Sequence, residues 1–160
     1  MAIDEIIEEL AVCYREHFNR QAGDLRIKRV TENVPEAVTE WPWMYFIPDV
    51  GDVEGRTLPS SHDASLGDGT ATRRGFKVTH QFKAQLLVRP RRNLLRGEEI
   101  TRQFLQPIIT VTDENYQLSG VVLGIQVTSY DYGVLALGRF NQRETQYIGA
   151  EFVYQAVEVI

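Results

Sequence analysis

The chain has a single cysteine, Cys13, in 160 residues. A lone thiol excludes a disulfide framework within the chain and a cysteine-built zinc cluster, and it fits synthesis in a reducing cytoplasm. Long apolar runs are missing too. Nothing approaches the roughly 18 apolar residues of a membrane-spanning helix, and the opening MAIDEIIEEL carries acids where a secretory signal carries basic residues. The expectation is a chain with no membrane partner that is not exported by that route. Basic charge is also short: 17 Lys and Arg against 22 Asp and Glu give a net charge of -5 and a pI near 5.2. A dedicated DNA or RNA binder shows a basic face instead. The three histidines, His17, His62 and His80, share no spacing of the HExxH or Cys/His kind, so no metal site is expected. Neither GxxxxGK[ST] nor GxGxxG occurs, and Gly67-Asp68-Gly69 has no strand before it or helix after it, so no nucleotide cofactor is expected.

What is present is a patterned chain of one-domain size, residues 1–160, with 43% hydrophobic and 24% charged side chains. Its organising stretch is Phe76 to Arg89. Phe76, Val78, His80, Phe82, Ala84, Leu86 and Val88 form one row, and Lys77, Thr79, Gln81, Lys83, Gln85, Leu87 and Arg89 the other. This strict period of two predicts a long strand with one wet face, at the centre of an antiparallel sheet covered on one side.

Upstream, residues 2–20 predict a helix whose apolar stripe is Ile3, Ile6, Ile7, Leu10, Tyr14, His17 and Phe18, with Asp4, Glu5, Glu8 and Glu9 early and Arg15 and Arg20 late, complementing the helix dipole. Gly23 offers a stop. Leu25 to Thr31 reads as a short strand. Trp41 to Ile47, between Pro42 and Pro48, reads as an aromatic strand near a sheet edge, forming a long hairpin with Phe76 to Arg89. The connection, Asp49 to Gly75, is 27 residues with five glycines, longer than structureless loops usually run, and reads as a functional arm.

Downstream, residues 97–112 carry a helical face of Ile100, Phe104, Leu105, Ile108 and Val111, interrupted by Pro107, while Ile108 to Thr112 also suits a strand. The reading is a broken or kinked helix. Leu118-Ser119-Gly120 predicts a turn into a strand over Val121 to Tyr130. Tyr132-Gly133 predicts another turn, Val134 to Leu137 a short strand, Gly138 to Gln146 a polar turn, and Tyr147 to Val159 a final strand. The fold class is α+β: a mainly antiparallel sheet with two helices on one face and a long hairpin loop.

Residues that carry chemistry elsewhere read here as structure. Cys13 and His17 lie four apart on the first helix, the spacing of a thiol nucleophile and its base, but no third orienting group accompanies them. Glu8-Glu9 and Glu98-Glu99 are adjacent on helices and point about 100° apart, so they read as solvated faces. Arg89, Arg91, Arg92 and Arg96 form the strongest basic cluster and read as a strand end or a protein contact. Trp41, Trp43, Tyr45 and Phe46 read as core and interface filling, with a stacking platform as the alternative. The chain is expected not to be an enzyme.

The order of features resembles the tail-terminator, or tail-completion, proteins of long-tailed bacteriophages. The likeness rests on an acidic amphipathic helix, the Pro-flanked aromatic strand Trp41 to Pro48, a long loop, and an alternating strand ending Arg89-Pro90-Arg91-Arg92. It continues through a helix containing Leu105-Gln106-Pro107, the turn Leu118-Ser119-Gly120, Tyr130-Asp131-Tyr132-Gly133-Val134-Leu135 and Tyr147-Ile148-Gly149-Ala150-Glu151-Phe152. The resemblance implies helices covering one face of a mainly antiparallel sheet. It also implies six copies closing into a ring that caps the tail tube, ends its polymerisation and joins the tail to the head-side connector, in a virion assembled in the host cytoplasm. It carries no catalytic residues. Two features depart from the family pattern: the Asp49 to Gly75 loop is long, and Pro107 falls in a helix.

A ring needs two complementary patches per subunit. The residues expected at subunit or tube contacts are Asp49, Asp52, Arg56, Asp68, Arg73, Arg74, Lys77, Lys83, Arg91 and Arg92. The acidic balance suits a lumen through which DNA slides without specific binding. The alternative in the same class is a head-closure or head-tail joining protein of the neck. The alternative in another class is a small-molecule binding module or thiol enzyme.

Overall fold

The structure is a computed structural model that describes residues 3–48, 77–91, 94–137 and 145–159. The first helix, α1, is Ile3–Phe18. It buries Ile6, Ile7, Leu10, Ala11, Tyr14 and Phe18, with Ile3 and Cys13 partly covered. The stripe follows the predicted spacing, except that His17 is only half-buried, its ring edge-on to Phe18 at 4.8 Å. Gly23 follows at φ +67° and opens a 3-10 turn, Gly23–Leu25. That turn consumes the front of the expected Leu25 to Thr31 strand, leaving β1 as Arg29–Thr31.

Five described strands form one sheet in the order β1-β2-β3-β5-β4. Strand β2 is Trp43–Pro48, β3 is Lys77–Pro90, β4 is Gly124–Leu137 and β5 is Thr145–Val159. All pairings are antiparallel except β1 with β2. The alternating stretch is the centre of the sheet, as its pattern requires, and β2 with β3 makes the expected pair. The aromatic strand is not at the edge: β1 lies outside it, and Pro42, just before β2, uses its carbonyl to accept from the Lys28 N–H at 2.9 Å.

Two further expectations are corrected. Residues 97–112 do not break: the second helix, α2, runs without interruption over Leu94–Glu114 with Pro107 inside it. An interior proline costs about 3 kcal/mol, but Ile100, Phe104, Ile108 and Val111 are all buried on this helix. At about 1.5–3 kcal/mol for each such side chain, burial of the stripe outweighs one lost hydrogen bond. The same burial decides between helix and strand for Ile108 to Thr112, because only the helical period puts all four residues on one face. Nor does the chain turn at Tyr132-Gly133. Gly133, at φ +152°, stays in the ladder opposite Gly149, so β4 continues to Leu137 as one strand. The break in regularity is a bulge between Val127 and Ser129.

Both helices cover the same face. Phe82, Ala84, Leu86 and Val88 of β3 join Ala150, Phe152, Tyr154 and Ala156 of β5 beneath them, in one cluster with the α1 and α2 stripes. The opposite face is not wholly wet, since Trp43, Tyr45, Leu87 and Tyr147 form a second, smaller cluster there. Gly97 marks the closest approach of α2 to the sheet, where a Cβ would lie 3.0 Å from Ile148 Cδ1.

One buried polar chain crosses the main core. Thr112 Oγ1 donates to the Ile108 carbonyl at 2.8 Å, so it accepts from the Tyr14 hydroxyl, which in turn accepts from the Tyr154 hydroxyl at 2.8 Å. Burial pushes both tyrosines well above their ordinary pKa. This donor order makes two hydroxyl deletions unequal. Tyr14→Phe leaves the Tyr154 hydroxyl buried without its acceptor and is expected to cost about 1–3 kcal/mol, whereas Tyr154→Phe leaves Tyr14 donating to Thr112 and costs about 0.5–1.5 kcal/mol. Equal losses in urea unfolding would show that the order is wrong. A second prediction concerns Gly149. A Cβ there would sit 1.7 Å from the Leu86 carbonyl oxygen, so Gly149→Ala must part β3 from β5 and should lower stability by at least about 3 kcal/mol. A variant melting like the parent would refute this.

Candidate functional site

The residues expected at contacts divide into three groups. Asp49, Asp52, Arg56, Asp68, Arg73, Arg74 and Arg92, with the whole Asp49 to Gly75 loop, lie outside the described residues. Lys77 opens β3, opposite Val159. Lys83 and Arg91 are described, and neither is a free cation. Lys83 Nζ lies 4.0 Å from Glu151 Oε1, and Arg91 Nη1 donates to Gln146 Oε1.

Two members of the basic cluster, Arg89 and Arg96, are likewise paired. Asp24, on the 3-10 turn after α1, accepts from Arg96 Nη2 at 2.6 Å and Arg89 Nη2 at 3.4 Å, and Arg96 also reaches Glu99 at 3.4 Å. One carboxylate thus ties the end of β3 to the start of α2. The groups are one-third to one-half exposed, so each pair contributes about 1 kcal/mol at most. Asp24 was not singled out in the sequence: its partners lie 65 and 72 residues away, and no local pattern announces such a contact.

The outer face of the sheet carries a row of registered side chains, Tyr45, Gln85, Glu151 and Asp131, one from each of β2, β3, β5 and β4. The Tyr45 hydroxyl donates to Gln85 Oε1, and Gln85 Nε2 donates to Glu151 Oε2 at 2.7 Å. Burial, then the nearby Glu151 carboxylate, then Tyr147, pushes Tyr45 up to about 12. The row is a zipper across strands rather than an acid-base pair, because the Tyr45 proton is held on its oxygen. The aromatic strand offers no flat platform either. Phe46 faces the main core, Trp43 faces the other way and donates from Nε1 to Thr31 Oγ1 at 3.0 Å, and Arg29 stacks over Trp43 at 5.7 Å.

His80 points into the covered side, where its Nε2 lies 2.8 Å from Glu158 Oε1, a carboxylate that is 4% exposed. This contact went unread because Glu158 sits near the end of β5, and only the β3–β5 register brings the two together. Cys13 is half-buried; burial raises its pKa, and Glu16 and Glu9 raise it further. A nucleophilic thiolate needs the opposite environment. No group of three or more His, Cys, Asp or Glu side chains that could hold a metal occurs among the described residues. An open groove of about 590 Å³ lies between the end of α2, the start of β4 and the end of β5, with Asp113, Tyr116, Leu123, Gln126 and Gln155 in its lining. No described helix is long and apolar enough to cross a membrane.

No protein-family model matches the chain, and no curated protein matches it. The strongest surface feature is therefore judged on its own geometry. It is the outer edge of β4, where Tyr130, Tyr132 and Val134 are 50%, 43% and 45% exposed. For the thiol, the expected outcome is slow labelling of Cys13 in the folded protein near pH 7 and fast labelling in urea. Rapid modification of the folded chain would reopen the thiol-enzyme reading.

Proposed function

We propose that this chain is a structural ring subunit of the tail-terminator kind. In this reading six copies close into a ring on the end of a bacteriophage tail tube, stop its growth and join it to the head-side connector, in the virion neck. The observation that supports it is architectural. The chain order of acidic helix, aromatic strand, long alternating strand, second helix and two further long strands gives one mainly antiparallel sheet with both helices on one face. That is the architecture the family resemblance implies. The environment of Cys13 weighs against the thiol-enzyme alternative. The net charge of -5 suits a lumen that DNA crosses without sticking.

Electron microscopy of the purified protein with and without tail tubes tests the reading. Six-fold rings seated on tube ends are expected, and gene removal is expected to leave tubes of uncontrolled length. Normal tails with leaking heads would assign the chain to head closure instead. Charge reversal of Arg73 and Arg74 together is expected to weaken ring closure and capping; unchanged capping would remove the Asp49 to Gly75 loop from the contact.

A further inference from the structure

The two edges of the sheet are treated differently. Strand β1 is only Arg29–Thr31. The Arg29 N–H turns toward β2, reaching the Pro42 carbonyl at 3.4 Å, so the polar groups of adjacent Val30 turn outward. The Val30 carbonyl is occupied: Arg15 Nε donates to it at 2.9 Å, and Glu32 flanks the same arginine at 3.7 Å. That edge is short and capped.

The β4 edge is the reverse. It runs for 14 residues, Gly124–Leu137, with Asp131 as its only charge and no lysine or proline, the residues that usually blunt an edge. Its outward polar groups can be counted. The Ile125 N–H donates away from β5, to the Tyr116 carbonyl at 2.8 Å, and Ile125 stands opposite Ala156. Opposed residues alternate between bonding and not bonding. Stepping by two along β5 reaches Phe152, Ala150 and Ile148, whose partners are Tyr130, Tyr132 and Val134. The same three residues therefore turn their N–H and C=O groups outward and carry exposed apolar side chains; the Tyr132 N–H meanwhile donates to the neighbouring Asp131 Oδ1 at 2.9 Å.

We propose that the edge of β4, free among the described residues, docks a second copy of this chain, β4 against β4 about a two-fold axis, making one continuous sheet from two. The capped β1 edge excludes head-to-tail strand addition, which leaves β4 to meet itself. Charge and side-chain pairing together select the register. With Tyr132 facing its own copy, and its N–H exchanging Asp131 for the opposed carbonyl, Tyr130 faces Val134 of the second copy, an aromatic and β-branched pair of the favoured kind, and Asp131 faces Gly133. Of the two neighbouring in-phase registers, one sets Asp131 against Asp131, and like charges directly opposite are destabilising, while the other sets Gly133 against Gly133 and gives up the Tyr132 pair. A near-neutral strand also offers a charged partner nothing to pair with, whereas a copy of itself matches it in length and polarity. The inference does not rest on the ring reading, because one patch meeting itself about a two-fold axis cannot repeat around a six-fold one. It describes the chain free of the tail.

Sedimentation of the purified full chain tests it. The parent is expected at twice the 18.3 kDa chain mass, and Tyr132→Lys at the monomer mass with an unchanged circular dichroism spectrum. A Cys13→Ala, Tyr132→Cys double variant should oxidise to a covalent dimer, since directly opposed Cα atoms about 5.5 Å apart lie within disulfide reach. This second variant keeps the test open if the lysine variant misfolds. A monomeric parent overturns the proposal, as does an assembly of any size that Tyr132→Lys leaves intact. A dimer that fails to cross-link through position 132 overturns it too. A monomeric parent whose binding to tail tubes is lost in Tyr132→Lys would give the edge to the tube protein instead, while leaving the ring reading standing.

Discussion

Three hydroxyls hold the two helices and the sheet in one arrangement. Tyr154 on β5, Tyr14 on α1 and Thr112 on α2 meet through contacts spanning 140 and 98 residues of sequence. A buried hydroxyl without a partner costs about 1–3 kcal/mol, so sliding either helix by one turn would strand at least one of them. Apolar burial supplies most of the attraction in this core, but it is tolerant of small shifts. The hydroxyl chain is directional and tolerates few, and it therefore fixes the helix positions that the apolar stripes only favour. The aromatic rings carrying it are packed in turn, with Tyr154 stacked on Phe82 at 5.0 Å and Tyr14 parallel to Phe46 at 6.3 Å.

The parts legible in the sequence were those whose cause is local. Alternation places β3, and the i, i+3, i+4 stripe places α1, because each pattern is the direct imprint of one buried face. The misreadings share a physical origin. Pro107 and Gly133 read locally as interruptions, since each weakens its element, but the tertiary packing around them decides the outcome. Four buried apolar side chains carry α2 past its proline, and the continuous ladder with β5 carries β4 past its glycine. The strand Leu25 to Thr31 was shortened by a turn whose only announcement was Gly23.

The surfaces were harder to read than the fold. Counting arginines finds the cluster around Arg89 to Arg96 but not the pairing of Arg89 and Arg96 with Asp24, which depends on the path of the chain between α1 and β1. Charge patterning thus identified where cations are, not whether they are available. The opposite error attaches to β4. Its sequence is bland, with Asp131 as its one charge, and that blandness becomes informative only once the strand is known to lie outermost among the described strands.

The position of β5 between β3 and β4 has a further consequence. Strands β2 and β3 can pair as soon as both exist, but β3 and β4 have no contact across the ladder until Thr145–Val159 is laid between them. During synthesis the covered face of β3, with Phe82, Ala84 and Leu86, therefore waits for residues made more than half a sheet later. Over that interval the growing chain exposes both an unpaired strand and an uncovered aromatic row, the species most prone to misassociation. Insertion of the last strand closes the core and leaves β4 outermost among the described strands in the same event, so the chain gains its stability and that edge together.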